Sequence, residues 1–181
     1  MKVIFLDIDG VLATNMEYGK PRRKFWDKYD TAKTLRIPYP FNPDCVKIFN
    51  RIILETDATI VLSSDWRTFW DLNELDQIFK FNGVIRSPEY MTMNRKRKMS
   101  SSYADDRHWQ IMEWVEEHRP YKWLVLDDLD MTYMFEQDGL SDCFLRTRDQ
   151  EGLKQVKLVD KIINFLNNEQ ESKVTDSEGS S

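Results

Sequence analysis

The sequence predicts an α/β domain, a Rossmann-like three-layer sandwich with a mainly parallel five-stranded sheet between helices. Two observations carry that prediction. Short apolar runs, Val3–Leu6, Thr59–Leu62 and Trp123–Leu126 among them, alternate with stretches of helical period. Three of the runs end in oxygen-bearing side chains: Asp7 with Asp9, Ser63 with Ser64, and Asp127 with Asp128. Sheets covered on both faces bind ligands at the carboxyl ends of their strands, where these residues fall.

Taken in order, Lys2–Leu6 is the first strand, with Asp7 its last extended residue and Asp9 in the turn that Gly10 allows. Residues 13–42 are polar, basic and aromatic and lack sustained periodicity, so they are expected to form a flap with at most a helical turn or two. Asn42-Pro43-Asp44 starts a helix, with a capping Asn, Pro in the first turn and an early acid; Val46, Phe49, Ile52 and Ile53 are its buried face. Thr59–Leu62 is the second strand. A helix through Leu72, Leu75, Ile78 and Phe79 follows, then Asn82-Gly83 and a short strand at Val84-Ile85. Residues 87–106 are expected to be irregular, a second insertion. Asp105 or Asp106 then caps a helix over 107–118, closed by Arg119-Pro120. Trp123–Leu126 is the fourth strand, a short helix with Met131 and Met134 follows, and Cys143–Leu145 is the fifth strand. Leu153, Val156, Val159, Ile163 and Leu166 mark the last helix. The domain is thus expected over 1–167, with an acidic, serine-rich and disordered tail over 168–181.

At 181 residues, with 41% hydrophobic and 31% charged content, the chain can bury a full core. No apolar run is long enough for a membrane span, and the N-terminal run is too short for a signal peptide, so a cytoplasmic protein without membrane contact is expected. Cys45 and Cys143 have no metal-ligand spacing and suggest no disulfide-linked partner. His108 and His118 make no zinc site. Net charge is −5, yet Lys20, Arg22, Arg23, Lys24, Lys28, Lys33 and Arg36 crowd one stretch and Arg95–Lys98 another. Such clusters suit an anionic partner, and they also suit solvated loop faces. Phe25, Trp26, Tyr29, Tyr39 and Phe41 interleave with the first cluster; they fit stacking on bases or a small satellite core.

The strand-end acids repel one another in a dry site unless a cation intervenes. Hard carboxylate and carbonyl oxygens without His or Cys suit Mg²⁺ beside a substrate phosphate. Arg107 is best placed to balance the acids, with Lys96 and Lys98 behind it. Strand-end aspartates also serve as plain caps. A metal-dependent glycosyltransferase could use Asp7 and Asp9, but it would leave Ser63, Asp127 and Asp128 unexplained.

The words Asp7-Ile8-Asp9-Gly10-Val11-Leu12, Ile60-Val61-Leu62-Ser63-Ser64 and Leu124-Val125-Leu126-Asp127-Asp128 resemble the haloacid dehalogenase (HAD) superfamily of phosphohydrolases, over roughly residues 1–166. Leu6–Leu12 and Ser63-Ser64-Asp65-Trp66-Arg67 are most similar to the HAD domains of Swiss Army Knife RNA repair proteins, related to polynucleotide 3′-phosphatases. The resemblance implies Asp7 as nucleophile and Asp9 as general acid and base. It implies Mg²⁺ on Asp7, the Asp9 carbonyl and Asp128, with Asp127 supporting. Ser63 is the matching phosphate-binding hydroxyl and Ser64 its alternative; Arg107 is the matching cation. Arg67 either grips phosphate or pairs with an acid, and Asp130 is expected to cap a helix. Both insertions are short, so the mouth should be open to a bulky ester. Arg22, Arg23, Lys24, Trp26, Arg95 and Lys96 are therefore candidate substrate contacts, and a nucleic-acid 3′-phosphate is the expected substrate. The alternatives are free nucleotides or small metabolites, or binding of nucleic acid without catalysis.

Overall fold

In the computed structural model, residues 1–18, 22–95 and 102–168 are described, the side chains of Tyr18, Arg22, Val156 and Lys157 excepted. The expectations for Lys96, Lys98, the Arg22 side chain and the tail beyond Asn168 lie outside them. The elements are β1 (Lys2–Leu6), α1 (Asn15–Tyr18), α2 (Arg22–Lys28), α3 (Asp30–Thr34), α4 (Pro43–Thr56), β2 (Thr59–Leu62), α5 (Leu72–Phe81), β3 (Tyr90–Met91), α6 (Tyr103–His118), β4 (Lys122–Asp127), α7 (Thr132–Gln137), β5 (Phe144–Arg146) and α8 (Val156–Asn167). The sheet is parallel throughout, in the order β3-β2-β1-β4-β5.

The apolar runs are continuous because both faces of each strand are covered. Ile4, Leu6, Ile60, Leu62, Leu124 and Leu126 pack with Phe49 and Ile52 of α4, Leu75 and Ile78 of α5, and Ile162 of α8. The alternate residues Val3, Phe5, Val61, Trp123 and Val125 pack with Ile111 and Trp114 of α6 and with Met131 and Phe135 by α7. Phe5 meets Trp114 and Trp123 edge to face, at 5.3 and 5.9 Å between ring centroids. The expected three-layer sandwich is the observed one.

α4 starts as its sequence requires, with the Asn42 side chain accepting from the Asp44 and Cys45 amides. Asp71 and Glu74 form a reciprocal capping box on α5. Three expectations are corrected. The third strand is Tyr90–Met91, not Val84-Ile85; Val84 instead closes the end of α5, its amide bonding Phe79 O at 3.0 Å. α6 begins at Tyr103, capped by Ser102 rather than by Asp105 or Asp106. The stretch 13–42 holds three short helices, α1 to α3, and most of its aromatics pack inward. No helix among the described residues is long and apolar enough to cross a membrane. Cys45 and Cys143 are free thiols.

Candidate active site

β1, β2 and β4 run in register, Leu6 opposite both Leu62 and Leu126, so the residues after them emerge side by side. The ladder continues one step, with Asp7 N donating to Leu126 O and Ser63 N to Leu6 O, both at 3.0 Å. One carboxylate oxygen each from Asp7, Asp127 and Asp128 falls within 4.8 Å of the others. Asp7 stands 120 positions before Asp127 in the chain, yet the three acids are near enough to share one ion.

Arg107, on the first turns of α6, reaches into this cluster and is only 3% exposed. Its Nη1 lies 2.8 Å from Asp127 Oδ2 and 3.6 Å from Asp7 Oδ1. Against the cost of burial, Asp7 and Asp127 hold the guanidinium firmly cationic. Its Nη2 donates to the Tyr103 hydroxyl at 2.6 Å, and that hydroxyl in turn donates to Asp65. Burial, then Asp7, pushes Asp127 well above the usual carboxylate range, with Arg107 opposing. Asp127 has both oxygens occupied, one by Arg107 and one by the Leu129 amide. Asp128 is less enclosed, and burial followed by Asp7 and Asp149 raises its pKa to about 6. Asp149, which the sequence did not single out, keeps a buried oxygen with no partner among the described residues.

Asp9 is not among those three acids. Its Oδ1 accepts from the Tyr39 hydroxyl at 2.5 Å and from Trp66 Nε1 at 3.2 Å. Burial pushes the carboxyl up to about 6, the two donors pull it down, and Asp7 adds to the rise. Tyr39 and Trp66 are therefore contacts of the site that no strand-end pattern could reveal; Tyr39 stands on the flap and Trp66 just past β2.

The two serines after β2 are separated by their bonds. Ser63 is fully buried and its hydroxyl has no partner among the described residues. Ser64 accepts from the Trp66 amide and caps the turn Asp65–Thr68. Among the described residues Arg67 forms no ion pair with an acid. It donates to Ser64 O at 2.8 Å and to Gln110 Oε1 at 2.6 Å, and burial, with Arg107 nearby, lowers its pKa to about 10. Nε of both Arg67 and Arg107 is buried without a partner among the described residues. Three unmet donors beside an acid cluster fit an incoming anion.

The loop after β1 folds back through three amides, of Val11, Leu12 and Ala13, on Ile8 O. Gly10 has φ +71°, and a Cβ there would meet the Asp128 carboxyl at 2.4 Å. Late residues hold this loop: Thr147 Oγ1 donates to Gly10 O at 2.7 Å and the Leu153 amide to Val11 O at 3.1 Å. Arg146 fixes the facing loop through Asp128 O and Asp130. Asp130 also accepts from the Thr132 amide at the start of α7.

Of the candidate substrate contacts, Arg23 and Lys24 are exposed on α2. Arg95 pairs with Glu113 and lies over the Trp109 ring. Trp26 is not a free stacking surface: it packs against the core and its indole donates to Ile37 O at 2.7 Å. Phe41 is likewise core. The flap aromatics are thus largely the satellite core, because the flap needs one to stay folded.

Strand order, acids at the strand ends and a buried cation facing them define a fold of haloacid dehalogenase type. The HAD domain of effector protein Lem4 from Legionella pneumophila superposes with a TM-score of 0.53 over 92% of this chain and 95% of that one, at 13% identity. No curated protein matches the sequence. Residues 3–158 match the family described as the HAD domain in Swiss Army Knife RNA repair proteins. The chain belongs to that family.

Proposed function

We propose that the protein is a Mg²⁺-dependent phosphomonoesterase that removes terminal phosphates, 3′ ones above all, from nucleic acid. The observation that carries this is the division of labour between two neighbouring carboxyls. Asp7 sits in the acid cluster against Arg107, while Asp9 stands apart on Tyr39 and Trp66 with its pKa near neutrality. Asp7 attacks phosphorus, and the ester oxygen leaves with a proton from Asp9. Asp9, now a carboxylate, takes a proton from the water that cleaves the aspartyl-phosphate, releasing inorganic phosphate and restoring Asp7. A pKa of about 6 suits a group that must both give and take a proton.

The donor set fits Mg²⁺: hard oxygens only, in carboxylates whose mutual repulsion a divalent ion relieves. Asp7, Asp128 and the Asp9 carbonyl would hold it, with Asp127 bracing Arg107 behind them. When bound, the ion supplies charge neutralisation for the phosphate oxygens. Ser63, with Arg67 and Arg107 behind it, is the anion cradle. Arg23, Lys24 and Arg95 are the cations at hand for a polymeric substrate.

The test is phosphate release with Mg²⁺ from 3′- and 5′-phosphorylated oligonucleotides, mononucleotides and sugar phosphates. Release is expected to be fastest from 3′-phosphorylated ends and absent in Asp7→Asn. Raising salt should raise KM for the oligonucleotide far more than for a sugar phosphate. Turnover that survives in Asp7→Asn would overturn the mechanism.

A further inference from the structure

Beside Asp9 opens a cleft of roughly 360 Å³. Pro38, Tyr39, Trp66, Phe69 and Trp70 line it together with Arg36 and Asp65, and Tyr39 meets Trp66 edge to face at 5.8 Å between ring centroids. Its size suits one planar ring system. The walls are prepared for stacking. Trp66 and Trp70 lie 4.8 Å apart with their planes at 34°, and each indole N–H is already engaged, on Asp9 and on Leu35 O. The rings are therefore held without any ligand. Phe69 is 71% exposed, an apolar ring set against Trp70 at the mouth.

Pro38 and Tyr39 also line a second cleft of similar size, together with Phe25, Tyr29, Lys24 and Lys28. Arg36, Lys24 and Lys28 form no ion pair among the described residues, and Lys28 lies over the Tyr29 ring at 5.0 Å. Rings and cations thus alternate outward from Asp9. A single aromatic ester would use only the first cleft, whereas a nucleic-acid strand presents bases and phosphates in that alternation.

We infer that the Tyr39–Phe69–Trp70 cleft takes the base of the substrate's terminal nucleotide, and that Lys24 and Lys28 take the phosphate next along the strand. The inference rests on the proposed chemistry, because Asp9 must protonate the oxygen that this nucleotide's sugar carries away.

The experiment compares 3′-phosphorylated oligonucleotides that end in an ordinary nucleotide or in an abasic one. Wild type is expected to favour the base-bearing end by roughly 10- to 100-fold in kcat/KM, and Phe69→Ala to shrink that ratio to about threefold or less. Because the ratio is taken within one protein, general damage cancels. Lys24→Ala with Lys28→Ala should leave the base preference and cut the advantage of an oligonucleotide over a mononucleotide. A wild-type ratio near one overturns the inference while leaving the phosphatase standing, as does a phosphotyrosyl peptide cleaved as well as the oligonucleotide. If no ester is hydrolysed, the chemistry fails and stacking is judged separately by tryptophan quenching on titration with the same two oligonucleotides. Stronger quenching by the base-bearing end, lost in Phe69→Ala, supports the cleft assignment; equal quenching overturns it.

Discussion

The Tyr39 hydroxyl donates to Asp9 Oδ1 at 2.5 Å, tying the flap to the proposed general acid. Burial drives this carboxyl up to about 6, and the Tyr39 bond is the largest influence pulling it back. Tyr39→Phe removes a donor to the charged form, so the Asp9 pKa should rise, by about half a unit to one unit. Asp9 must be protonated to release the leaving group, so the alkaline limb of kcat/KM is expected to move to higher pH. A pH–rate profile with that limb unmoved would reduce Tyr39 to packing.

Ser63 and Ser64 should separate cleanly. The Ser63 hydroxyl is buried and has no partner among the described residues, so Ser63→Ala should leave the melting temperature unchanged or slightly higher. It should lower kcat/KM by on the order of 10- to 100-fold if that hydroxyl meets phosphate. Ser64→Ala removes a cap and should cost about 1 kcal/mol in denaturant unfolding. The reverse pattern would exchange their roles.

Arg107→Gln leaves Asp7 and Asp127 facing each other without their buried cation. Breaking such a pair costs about 3–5 kcal/mol, which for a chain of this size lowers Tm by on the order of 10 °C. Mg²⁺ is expected to restore part of that loss, because it answers the same repulsion. Calorimetry with and without Mg²⁺ checks both statements, and a variant melting with wild type would refute the first.

Metal-free protein should become more stable as pH falls from about 7.5 towards 5. Asp9, Asp127 and Asp128 have folded pKa values raised above the ordinary 3.8, Asp9 and Asp128 to about 6. At these three carboxyls the folded chain binds protons first, against the opposite effect of His108, whose pKa burial lowers, so stability is expected to rise as pH drops through that range. Mg²⁺ should raise Tm more at the higher pH, where the carboxylates are charged. Melting curves at the two pH values decide it; a metal-free Tm that falls on acidification over this interval would contradict the assignment.

The strand ends were legible because a buried parallel strand leaves a continuous apolar run, and carboxylates or hydroxyls directly after it stand out. Asp7, Asp127, Asp128 and Arg107 were accordingly found together. What was not legible depends on packing between distant segments. Val84 looks like a strand residue because the closing apolar contact of a helix has the same composition. Tyr90–Met91, a two-residue edge strand, carries no periodic signal. Tyr39 and Trp66 meet Asp9 only through the folding of two loops, and Trp26 differs from a stacking residue in being packed against the core, which its composition does not show.

The clasp of Thr147 and Leu153 on the Gly10–Val11 turn has a consequence for biosynthesis. A Cβ at Gly152 would meet Val11 O at 2.6 Å, so this late segment fits the early turn closely. During translation Asp7 leaves the ribosome well before Thr147 and Leu153, so its loop lacks these two contacts until the chain beyond Leu153 has followed. A nascent chain halted before that point carries Asp7 in an unfinished pocket, so the proposed activity requires the segment through Leu153.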